Sequence, residues 1–375
     1  MNKHINVAYI GIKGLPAQAG VDRVVQALVT RMPAFGINPY VYCDTKFTPP
    51  DFTLPGVNIL RISSLGGKYS QAPGRFIISA INSIRSDDFD LIHLHNIEAS
   101  FVLPMLKLKY NVISTAHGYA YWRSKWNPLA KKMLRLLDKP FVTFSDVVTS
   151  VSLNDANNLF ARFGKKIEYI PNGVSLDYHP DEDAALQILS DHKLKPKQYF
   201  LFVAGRIDPT KGAHLAIEAI KRLEEKIPLL IVGDIEQSHE YANHLREIAD
   251  SSIFFQPLIK KPETLFGLMT QSIGLIFPSL VEAMSMVLLE AASLGVPVIA
   301  SDISENFQIF GEDFAYFSSN DIDSLKEKLE WAINNCNEFI KISTRAKQRI
   351  HLEYGWDRIA SVYADLYWDL YEKRV

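Results

Sequence analysis

Two cationic side chains, Arg206 and Lys211, lie five positions apart in a glycine-flanked segment of this 375-residue sequence. The segment, Gly205-Arg206-Ile207-Asp208-Pro209-Thr210-Lys211-Gly212, follows a predicted strand and opens a predicted helix. The start of a helix favours anions, because its first N–H groups are unpaired and its dipole is positive there. Arg binds phosphate through two parallel hydrogen bonds, and Lys adds a point charge. These residues suit a diphosphate bound without a metal ion, although two solvated cations beside a capped helix would give the same sequence.

Two carboxylates lie eight positions apart in a later segment, Pro278-Ser279-Leu280-Val281-Glu282-Ala283-Met284-Ser285-Met286-Val287-Leu288-Leu289-Glu290. Glu282 lies in a predicted loop after a strand, and Glu290 lies in the predicted helix that follows. A carboxylate accepts several hydrogen bonds, which suits the hydroxyl groups of a sugar or a ribose. The small side chains of Ala283 and Ser285 would let a ligand approach the backbone N–H groups. The alternative is that both acids only stabilise the start of the helix.

A histidine follows another predicted strand, as His117 in Ser114-Thr115-Ala116-His117-Gly118-Tyr119. It could donate a hydrogen bond to a sugar hydroxyl or stabilise a developing charge; a structural histidine is the alternative. His93 and His95 share one face of the preceding strand, but no third ligand is evident, so we expect no metal site. One of them could instead line an acceptor site. Asp88-Phe89-Asp90 precedes that strand, at the wrong end of a sheet for a binding site, and is predicted to be a turn.

The loop after the first predicted strand, Gly11-Ile12-Lys13-Gly14-Leu15-Pro16-Ala17-Gln18-Ala19-Gly20-Val21-Asp22-Arg23, is rich in glycine. It lacks the G-x-G-x-x-G spacing, and no acidic residue follows at the distance of a ribose ligand. Both facts argue against a nicotinamide cofactor. From the residues alone, Gly14 and Gly20 are compatible with a ligand-binding turn and with a merely flexible one.

Short apolar runs alternate along the chain with helical patterns of about ten to fifteen residues, which indicates βαβ units and parallel sheets. Runs that are apolar throughout suit sheets buried on both faces. The predicted strands are 7–12, 39–43, 57–62, 91–94, 111–115, 147–151, 167–170, 199–204, 229–232, 252–255, 274–277 and 296–300. The predicted helices are 22–32, 75–84, 129–137, 153–163, 212–225, 239–249, 287–294 and 356–372.

The length corresponds to about two domains. The strand–helix pattern restarts after a segment rich in Pro, Gly, Asn and acidic residues. We therefore expect an N-terminal doubly wound α/β domain over 1–170, a hinge over 171–185 and a second such domain over 186–355. A C-terminal helix over 356–375 is expected to cross back towards the first domain. Ligands of such sheets bind beyond the carboxyl ends of the strands, where the glycine-rich, histidine and glutamate motifs are predicted to lie.

The composition, with 47% hydrophobic and 22% charged residues, is that of a soluble globular protein. The 40 Lys and Arg against 42 Asp and Glu lack the strongly basic balance of a dedicated nucleic-acid-binding protein, so no nucleic-acid partner is expected. Cys43 and Cys336 form no disulfide framework, which indicates a reducing, cytoplasmic compartment. The first residues do not resemble a signal peptide, and no run of about 18 apolar residues predicts a transmembrane helix.

The segment 122–139 is basic, aromatic and amphipathic, with the sequence WRSKWNPLAKKMLRLLDK. Such a segment can lie on an anionic membrane surface, which would place the protein on the cytoplasmic face of a membrane. A solvated basic helix with a buried Leu/Met stripe, or a site for an anionic acceptor, are the alternatives. Membrane contact would fit a lipid-linked acceptor.

Taken in order, these segments resemble the retaining GT-B glycosyltransferases of family 4. The family pattern is Gly-Arg…Lys-Gly, followed by Glu, seven residues and Glu, which corresponds here to Arg206, Lys211, Glu282 and Glu290. Other matching segments are Gly295-Val296-Pro297-Val298-Ile299-Ala300-Ser301-Asp302, Pro171-Asn172-Gly173-Val174 and the Trp-containing terminal helix. The resemblance covers nearly the whole chain. It implies a GT-B fold, in which two Rossmann-like domains face a cleft, with the acceptor on the N-terminal side and the nucleotide sugar on the C-terminal side.

The resemblance also implies a function. The enzyme would move a sugar, with retention at the anomeric carbon and without metal or cofactor, from a nucleotide-diphosphate sugar to a saccharide or lipid-linked acceptor. Bacterial envelope polysaccharide synthesis is the expected setting. The implied catalytic residues are His117, Arg206, Lys211 and Glu282, and the implied donor-binding residues are Gly14, Gly20, Arg206, Lys211, Glu282, Met284, Ser285 and Glu290.

The sequence departs from the family at one place. Ala283-Met284-Ser285 stands where the family commonly has Gly-Phe-Gly, which makes the identity of the donor sugar uncertain. Two other functions stay open at this point. One is a nucleotide-sugar epimerase of the same two-domain shape, and the other is a catalytically silent partner in a biosynthetic complex.

Overall fold

The computed structural model describes residues 4–17, 20–64, 67, 70–122, 126–236 and 239–373. The chain forms two compact units. The N-terminal unit comprises Met1–Gly173 together with Trp356–Val375, and the C-terminal unit comprises Val174–Gly355. The chain therefore leaves the first unit after Gly173 and returns to it after Gly355.

The N-terminal unit is built on a seven-stranded parallel sheet in the order β3-β2-β1-β4-β5-β6-β7. Its strands are β1 (Ile5–Ile10), β2 (Ile37–Asp44), β3 (Asn58–Ile62), β4 (Leu91–His95), β5 (Asn111–Ala116), β6 (Val147–Ser150) and β7 (Glu168–Tyr169). Its helices are α1 (Gly20–Val29), α2 (Gln71–Arg85), α3 (Leu103–Leu106), α4 (Pro128–Leu136), α5 (Asp138–Phe144), α6 (Leu153–Phe163) and α15 (Trp356–Glu372). Short 3-10 turns lie at Met32–Phe35, Ile97–Val102 and Ala120–Trp122.

The two faces of this sheet differ in polarity. Ile10, Leu94 and Val112 lie on the face that joins an apolar core with Phe76 of α2 and Phe141 of α5. Alternate residues of a strand point to opposite faces, so the intervening residues of β1, β4 and β5 lie on the other face. All five residues of β4 are buried. Both faces of the central strands are thus covered, as a parallel sheet requires.

The C-terminal unit is built on a six-stranded parallel sheet in the order β10-β9-β8-β11-β12-β13. Its strands are β8 (Phe200–Arg206), β9 (Leu229–Asp234), β10 (Ile253–Gln256), β11 (Gly274–Phe277), β12 (Val298–Ser301) and β13 (Ala315–Phe317). Its helices are α7 (Glu182–Asp191), α8 (Ala213–Lys221), α9 (His239–Ile248), α10 (Pro262–Gln271), α11 (Met286–Leu294), α12 (Ser304–Phe310), α13 (Ile322–Asn334) and α14 (Cys336–Glu353). A 3-10 turn covers Pro209–Lys211.

Each sheet reverses its strand order at one point. In the N-terminal unit the reversal lies between β1 and β4, and in the C-terminal unit it lies between β8 and β11. In open parallel sheets, ligands bind beyond the carboxyl ends of the strands at such a reversal point. The predicted doubly wound α/β class is confirmed in both units.

Helix α7 begins inside the segment 171–185 that the composition predicts to be a hinge. The Asp181 side chain caps it by accepting a hydrogen bond from the Ala184 N–H (3.1 Å). Tyr178 packs its ring on Phe266 of α10, with the ring centroids 4.2 Å apart. Asn, Asp and Ser are common both in turns and at helix N-caps. Composition alone therefore did not distinguish the segment that joins the two units from the start of α7.

Gly173 lies where the chain leaves the N-terminal unit, directly against the start of α15. A Cβ atom built at Gly173 would lie 2.5 Å from the ring of Trp356, which is itself buried. We therefore expect Gly173→Ala to lower the free energy of unfolding by about 1–3 kcal/mol, because a close-packed site must absorb an extra methyl group. Urea unfolding followed by circular dichroism measures this change.

Gly67→Ala is the matched control, because a Cβ atom there would meet none of the described residues within 4 Å. We expect that variant to unfold as the unmodified protein does. Equal stability of Gly173→Ala and Gly67→Ala would refute the close packing of Gly173 on Trp356.

Candidate active site

The loop after β8 carries the two predicted cations at the reversal point of the C-terminal sheet. Arg206 is the last residue of β8, pairs with Asp234 of β9, and is exposed. Asp208 caps the following 3-10 turn by accepting a hydrogen bond from the Thr210 N–H (3.0 Å). Lys211 ends that turn. The strand end and the capped turn therefore place both cations at the carboxyl edge of the sheet.

The loops after β8 and β11 are packed directly on each other. The Leu280 N–H donates to the Thr210 carbonyl (2.8 Å). Gly212, between the turn and α8, has a φ of 70°, and a Cβ atom there would lie 2.2 Å from the Pro278 carbonyl oxygen. Only glycine combines this backbone conformation with so close an approach. The glycine of the Lys-Gly motif is therefore explained by the contact between the two loops.

An ion pair joins the two predicted motifs. The Lys211 Nζ lies 2.6 Å from Oε1 of Glu282, although the two residues are 71 positions apart. The side chains are 26% and 12% exposed, so the pair is shielded from water without being sealed off. The structure thus brings Lys211 and Glu282 together across the two loops, while Arg206 ends β8 at the same edge of the sheet, with an exposed side chain.

The remaining predicted residues of this unit lie around the start of α11. Ser285 caps α11, with its hydroxyl accepting from the Leu288 N–H (3.4 Å). Met284 is buried and precedes the cap. Glu290 lies within α11 and is completely buried. A carboxylate in such a position is costly unless it is hydrogen-bonded, so its presence inside an otherwise apolar helix face indicates a specific role.

The two glycines predicted in the N-terminal unit have different surroundings. Gly14 is buried, and a Cβ atom there would lie 2.4 Å from Oγ1 of Thr48, which accepts a hydrogen bond from the Leu15 N–H. Packing alone accounts for that glycine. Gly20 begins α1, and a Cβ atom there would meet nothing within 4 Å. Gln18 and Ala19 of the same loop lie outside the described residues.

A row of polar side chains covers the second face of the N-terminal sheet. Nδ1 of His93 lies 2.6 Å from the Tyr367 hydroxyl, and Nε2 of His93 lies 2.7 Å from Oγ1 of Thr115. The Tyr9 hydroxyl lies 3.0 Å from that of Tyr367. Because Tyr367 belongs to α15, the C-terminal helix supplies the hydroxyl that satisfies a fully buried histidine of β4.

The same face carries the predicted His117. Nε2 of His117 lies 3.0 Å from Nδ1 of His95, and the two ring planes differ by 27° with their centroids 5.3 Å apart. His95 is 1% exposed, whereas His117, one residue beyond β5, is partly exposed. Burial lowers the pKa of both imidazoles below their usual range. Both side chains are therefore neutral at pH 7.

Sequence reasoning missed the tyrosines of this row. His93 and His95 could be found by their spacing of two in a strand, but Tyr363 and Tyr367 lie near the far end of the chain. The Tyr363 hydroxyl lies 3.3 Å from Oγ1 of Thr115. Because the two tyrosines are four positions apart, they lie on one face of α15. That spacing was the sequence signal that could have identified them as a pair.

Other predicted features lie away from these clusters. Asp90 accepts a hydrogen bond from the Asn6 N–H (2.8 Å) at the amino end of β1, so the Asp88–Asp90 segment is a structural turn. Over the described parts of the chain, no three His, Cys, Asp or Glu side chains are grouped as metal ligands would be. No helix in those same parts is long and apolar enough to cross a bilayer.

The basic segment 122–139 contains α4, while its residues Arg123, Ser124 and Lys125 lie outside the described residues. Leu129, Met133 and Leu136 form a stripe on α4 and are 69%, 63% and 69% exposed. A buried Leu/Met stripe, one of the alternatives drawn from the sequence, is therefore wrong for these three residues. Ala130, Lys131 and Leu134, on the other side of the helix, are partly buried.

Two family models match the chain. The model for glycosyl transferases group 1 matches residues 187–349, and the model for glycosyltransferase family 4 matches residues 19–178. An Escherichia coli UDP-Gal:alpha-D-GlcNAc-diphosphoundecaprenol alpha-1,3-galactosyltransferase is 24% identical over 350 residues, covering 86% of each chain.

Solved structures agree on the fold. Sucrose-phosphate synthase from Thermosynechococcus elongatus superposes with a TM-score of 0.84 at 19% identity, covering 99% of this chain and 100% of that one. HepE from Anabaena, solved in complex with UDP and glucose, gives a TM-score of 0.79 at 14% identity, covering 98% and 100%. The solved structures show the GT-B fold, and the two family models together show that the chain belongs to the family 4 glycosyltransferases, with a group 1 C-terminal domain.

Proposed function

We propose that this glycosyltransferase moves a sugar from a nucleoside-diphosphate sugar to a saccharide or lipid-linked saccharide acceptor during bacterial envelope polysaccharide synthesis. The observation that carries the proposal is the ion pair between Lys211 and Glu282, whose loops follow the two strands at the reversal point of the C-terminal sheet. Arg206 ends β8 at the same edge. The Escherichia coli relative, whose name specifies a UDP-sugar and a diphosphoundecaprenol acceptor, supports the substrate classes. So does the Anabaena structure with UDP and glucose.

In the proposed reaction, the bond between the anomeric carbon and the diphosphate oxygen breaks as negative charge grows on the leaving group. Arg206 and Lys211 neutralise that charge, since fixed charges aimed at the transition state are the largest contribution in such sites. Lys211 exchanges Glu282 for phosphate when the donor binds. The released Glu282 carboxylate then accepts hydrogen bonds from hydroxyls of the donor sugar.

We propose that the transfer retains the anomeric configuration. The acceptor oxygen bonds to the anomeric carbon on the face that the diphosphate leaves, and its proton passes to a leaving phosphate oxygen. Such a step needs no separate protein base or nucleophile. It also needs no metal ion, because the two cations already offset the diphosphate charge.

The other predicted residues complete the donor site in this proposal. Glu290 accepts hydrogen bonds from the ribose, and the backbone N–H groups of Met284 and Ser285 bind the donor sugar. His117 donates to the donor sugar, while the loop that contains Gly14 and Gly20 approaches the phosphates. Ala283 and Ser285 carry side chains where the resembled pattern has glycine, so in this proposal they narrow the sugar pocket.

We further propose that the protein binds the cytoplasmic surface of an anionic membrane through α4. The exposed stripe of Leu129, Met133 and Leu136 would enter the interface, where apolar side chains leave water. Lys132 and Arg135, both exposed on the same helix, would face anionic headgroups. This contact would bring the enzyme to a lipid-linked acceptor.

The donor site is tested by thermal shift with UDP, GDP, dTDP and ADP in the presence of EDTA. We expect one nucleotide to stabilise the protein, by about 2.7 kcal/mol at roughly 100 times its Kd. The double variant Arg206→Ala/Lys211→Ala should lose this shift, because the diphosphate loses both cations.

Arg222→Ala/Lys226→Ala, which removes two cations outside the site, should keep the shift. An undiminished shift in Arg206→Ala/Lys211→Ala would place the nucleotide elsewhere. No shift with any of the four nucleotides would favour a catalytically silent partner, and a shift that EDTA abolishes would contradict metal independence.

Membrane binding is tested by co-sedimentation with phosphatidylglycerol vesicles, with phosphatidylcholine vesicles for comparison. We expect the triple variant Leu129→Gln/Met133→Gln/Leu136→Gln to bind the anionic vesicles at least about tenfold more weakly, because three apolar side chains no longer leave water. Added salt should weaken binding of the unmodified protein. Ile340→Gln/Leu352→Gln, on exposed positions of α14, should bind normally, and equal binding by the triple variant would refute the role of α4.

A further inference from the structure

His95 and His117 share a single hydrogen between two neutral rings. Nδ1 of His95 and Nε2 of His117 are 3.0 Å apart, so one of these nitrogens carries the proton and the other accepts it. A neutral imidazole has one N–H and one bare nitrogen. The direction of this hydrogen bond therefore also decides which nitrogen is protonated on the far side of each ring.

In one arrangement His117 donates from Nε2, and His95 must then carry its own proton on Nε2. That nitrogen of His95 is buried and has no hydrogen-bond partner among the described residues. The Nε2–H of His95 would then be a buried donor without an acceptor. Buried donors without a partner are rarer in proteins than buried acceptors without one. This arrangement is the unfavourable one.

In the other arrangement His95 donates from Nδ1, and its buried Nε2 is a bare nitrogen without a hydrogen-bond partner among the described residues. His117 then accepts at Nε2 and carries its proton on Nδ1. Within the part of the chain that the structure describes, Nδ1 of His117 has no protein partner, and His117 is partly exposed. Its N–H group is thus open to water or to a ligand and carries no burial cost.

We infer that His95 is a positioning residue that donates its Nδ1–H to His117 and thereby holds His117 as a hydrogen-bond donor at its free Nδ1. His93 holds His95 in turn: their ring centroids are 4.0 Å apart, and Tyr367 and Thr115 fix both nitrogens of His93. Both hydrogen bonds of His93 are buried.

This inference deepens the proposed function and rests on it for its catalytic meaning. With its proton on Nδ1, His117 donates to an oxygen of the bound sugar and cannot take a proton from the acceptor through that nitrogen. The acceptor proton must then leave by another route, in agreement with a leaving phosphate oxygen as the base. The protonation site itself is a property of the folded chain and can be measured without substrate.

The test is long-range proton–nitrogen NMR of the full chain with ¹⁵N-labelled histidine at pH 7.5, with His117→Gln used to assign the signals. We expect a protonated Nδ1 and a bare Nε2 at His117. His95→Asn, which keeps an amide N–H near the position of Nδ1, should preserve this pattern, whereas His95→Leu should lose it. His192→Gln, in the C-terminal unit, where His192 pairs with Gln256 (2.9 Å), should also preserve it.

A protonated Nε2 at His117 in the unmodified protein would overturn the inference, as would an unchanged pattern in His95→Leu. Kinetics then test the catalytic meaning with the donor found by thermal shift. We expect His95→Leu to lower kcat about 3- to 10-fold with little change in the donor KM. A decrease of this size corresponds to the loss of one neutral hydrogen bond in the transition state. We expect His95→Asn to restore most of it. If no sugar transfer is detected at all, the proposed function fails, while the NMR result still decides the role of His95.

Discussion

The carboxyl edges of two parallel sheets control where chemistry can occur in this protein. A parallel sheet is covered on both faces, so only the loops beyond its strand ends are free to bind a ligand. The strand order reverses between β8 and β11, and one such loop follows each of these two strands. The two loops contact each other at Gly212 and Pro278, and this contact sets the spacing of the cations and the carboxylate. In the C-terminal unit, the position of every residue assigned to donor binding depends on that contact or on helix α11.

The N-terminal sheet differs in the side chains that it buries. It buries histidines where a parallel sheet normally buries aliphatic residues. A buried polar group is costly unless it is hydrogen-bonded, so the row from Tyr9 to His117 needs partners. Helix α15 supplies two of them, Tyr363 and Tyr367, although it is the last element of the chain. This requirement explains why the chain returns to its first unit after completing the second.

The sequence predicted the local features well and the distant pairings poorly. The strand–loop–helix motifs around Arg206 and Glu282 were predictable because turn, cap and apolar patterns are local. Helices α6 and α15 have the predicted bounds for the same reason. The ion pair between Lys211 and Glu282 was not predictable from the residues alone, since it depends on two loops meeting across a sheet.

Some elements escaped prediction for identifiable reasons. Helices α13 and α14 were not predicted, although buried residues recur along both at helical spacing, with Leu325, Leu329 and Ala332 in α13 as the example. The His95–His117 pair required the register of β4 against β5, in which His95 pairs with Thr115, and no local pattern contains that register. Sequence reasoning therefore found the residues of the candidate sites more readily than their partners.

The stereochemistry of sugar release tests the central claim most directly. Time-resolved proton NMR can follow the sugar that the enzyme releases to water from UDP-galactose, UDP-glucose, UDP-N-acetylglucosamine or GDP-mannose, before the free sugar equilibrates between anomers. All four donors are α-linked, so transfer on the face of the leaving diphosphate predicts that the α-anomer forms first. Initial formation of the β-anomer would contradict same-face transfer and the role given to the leaving phosphate.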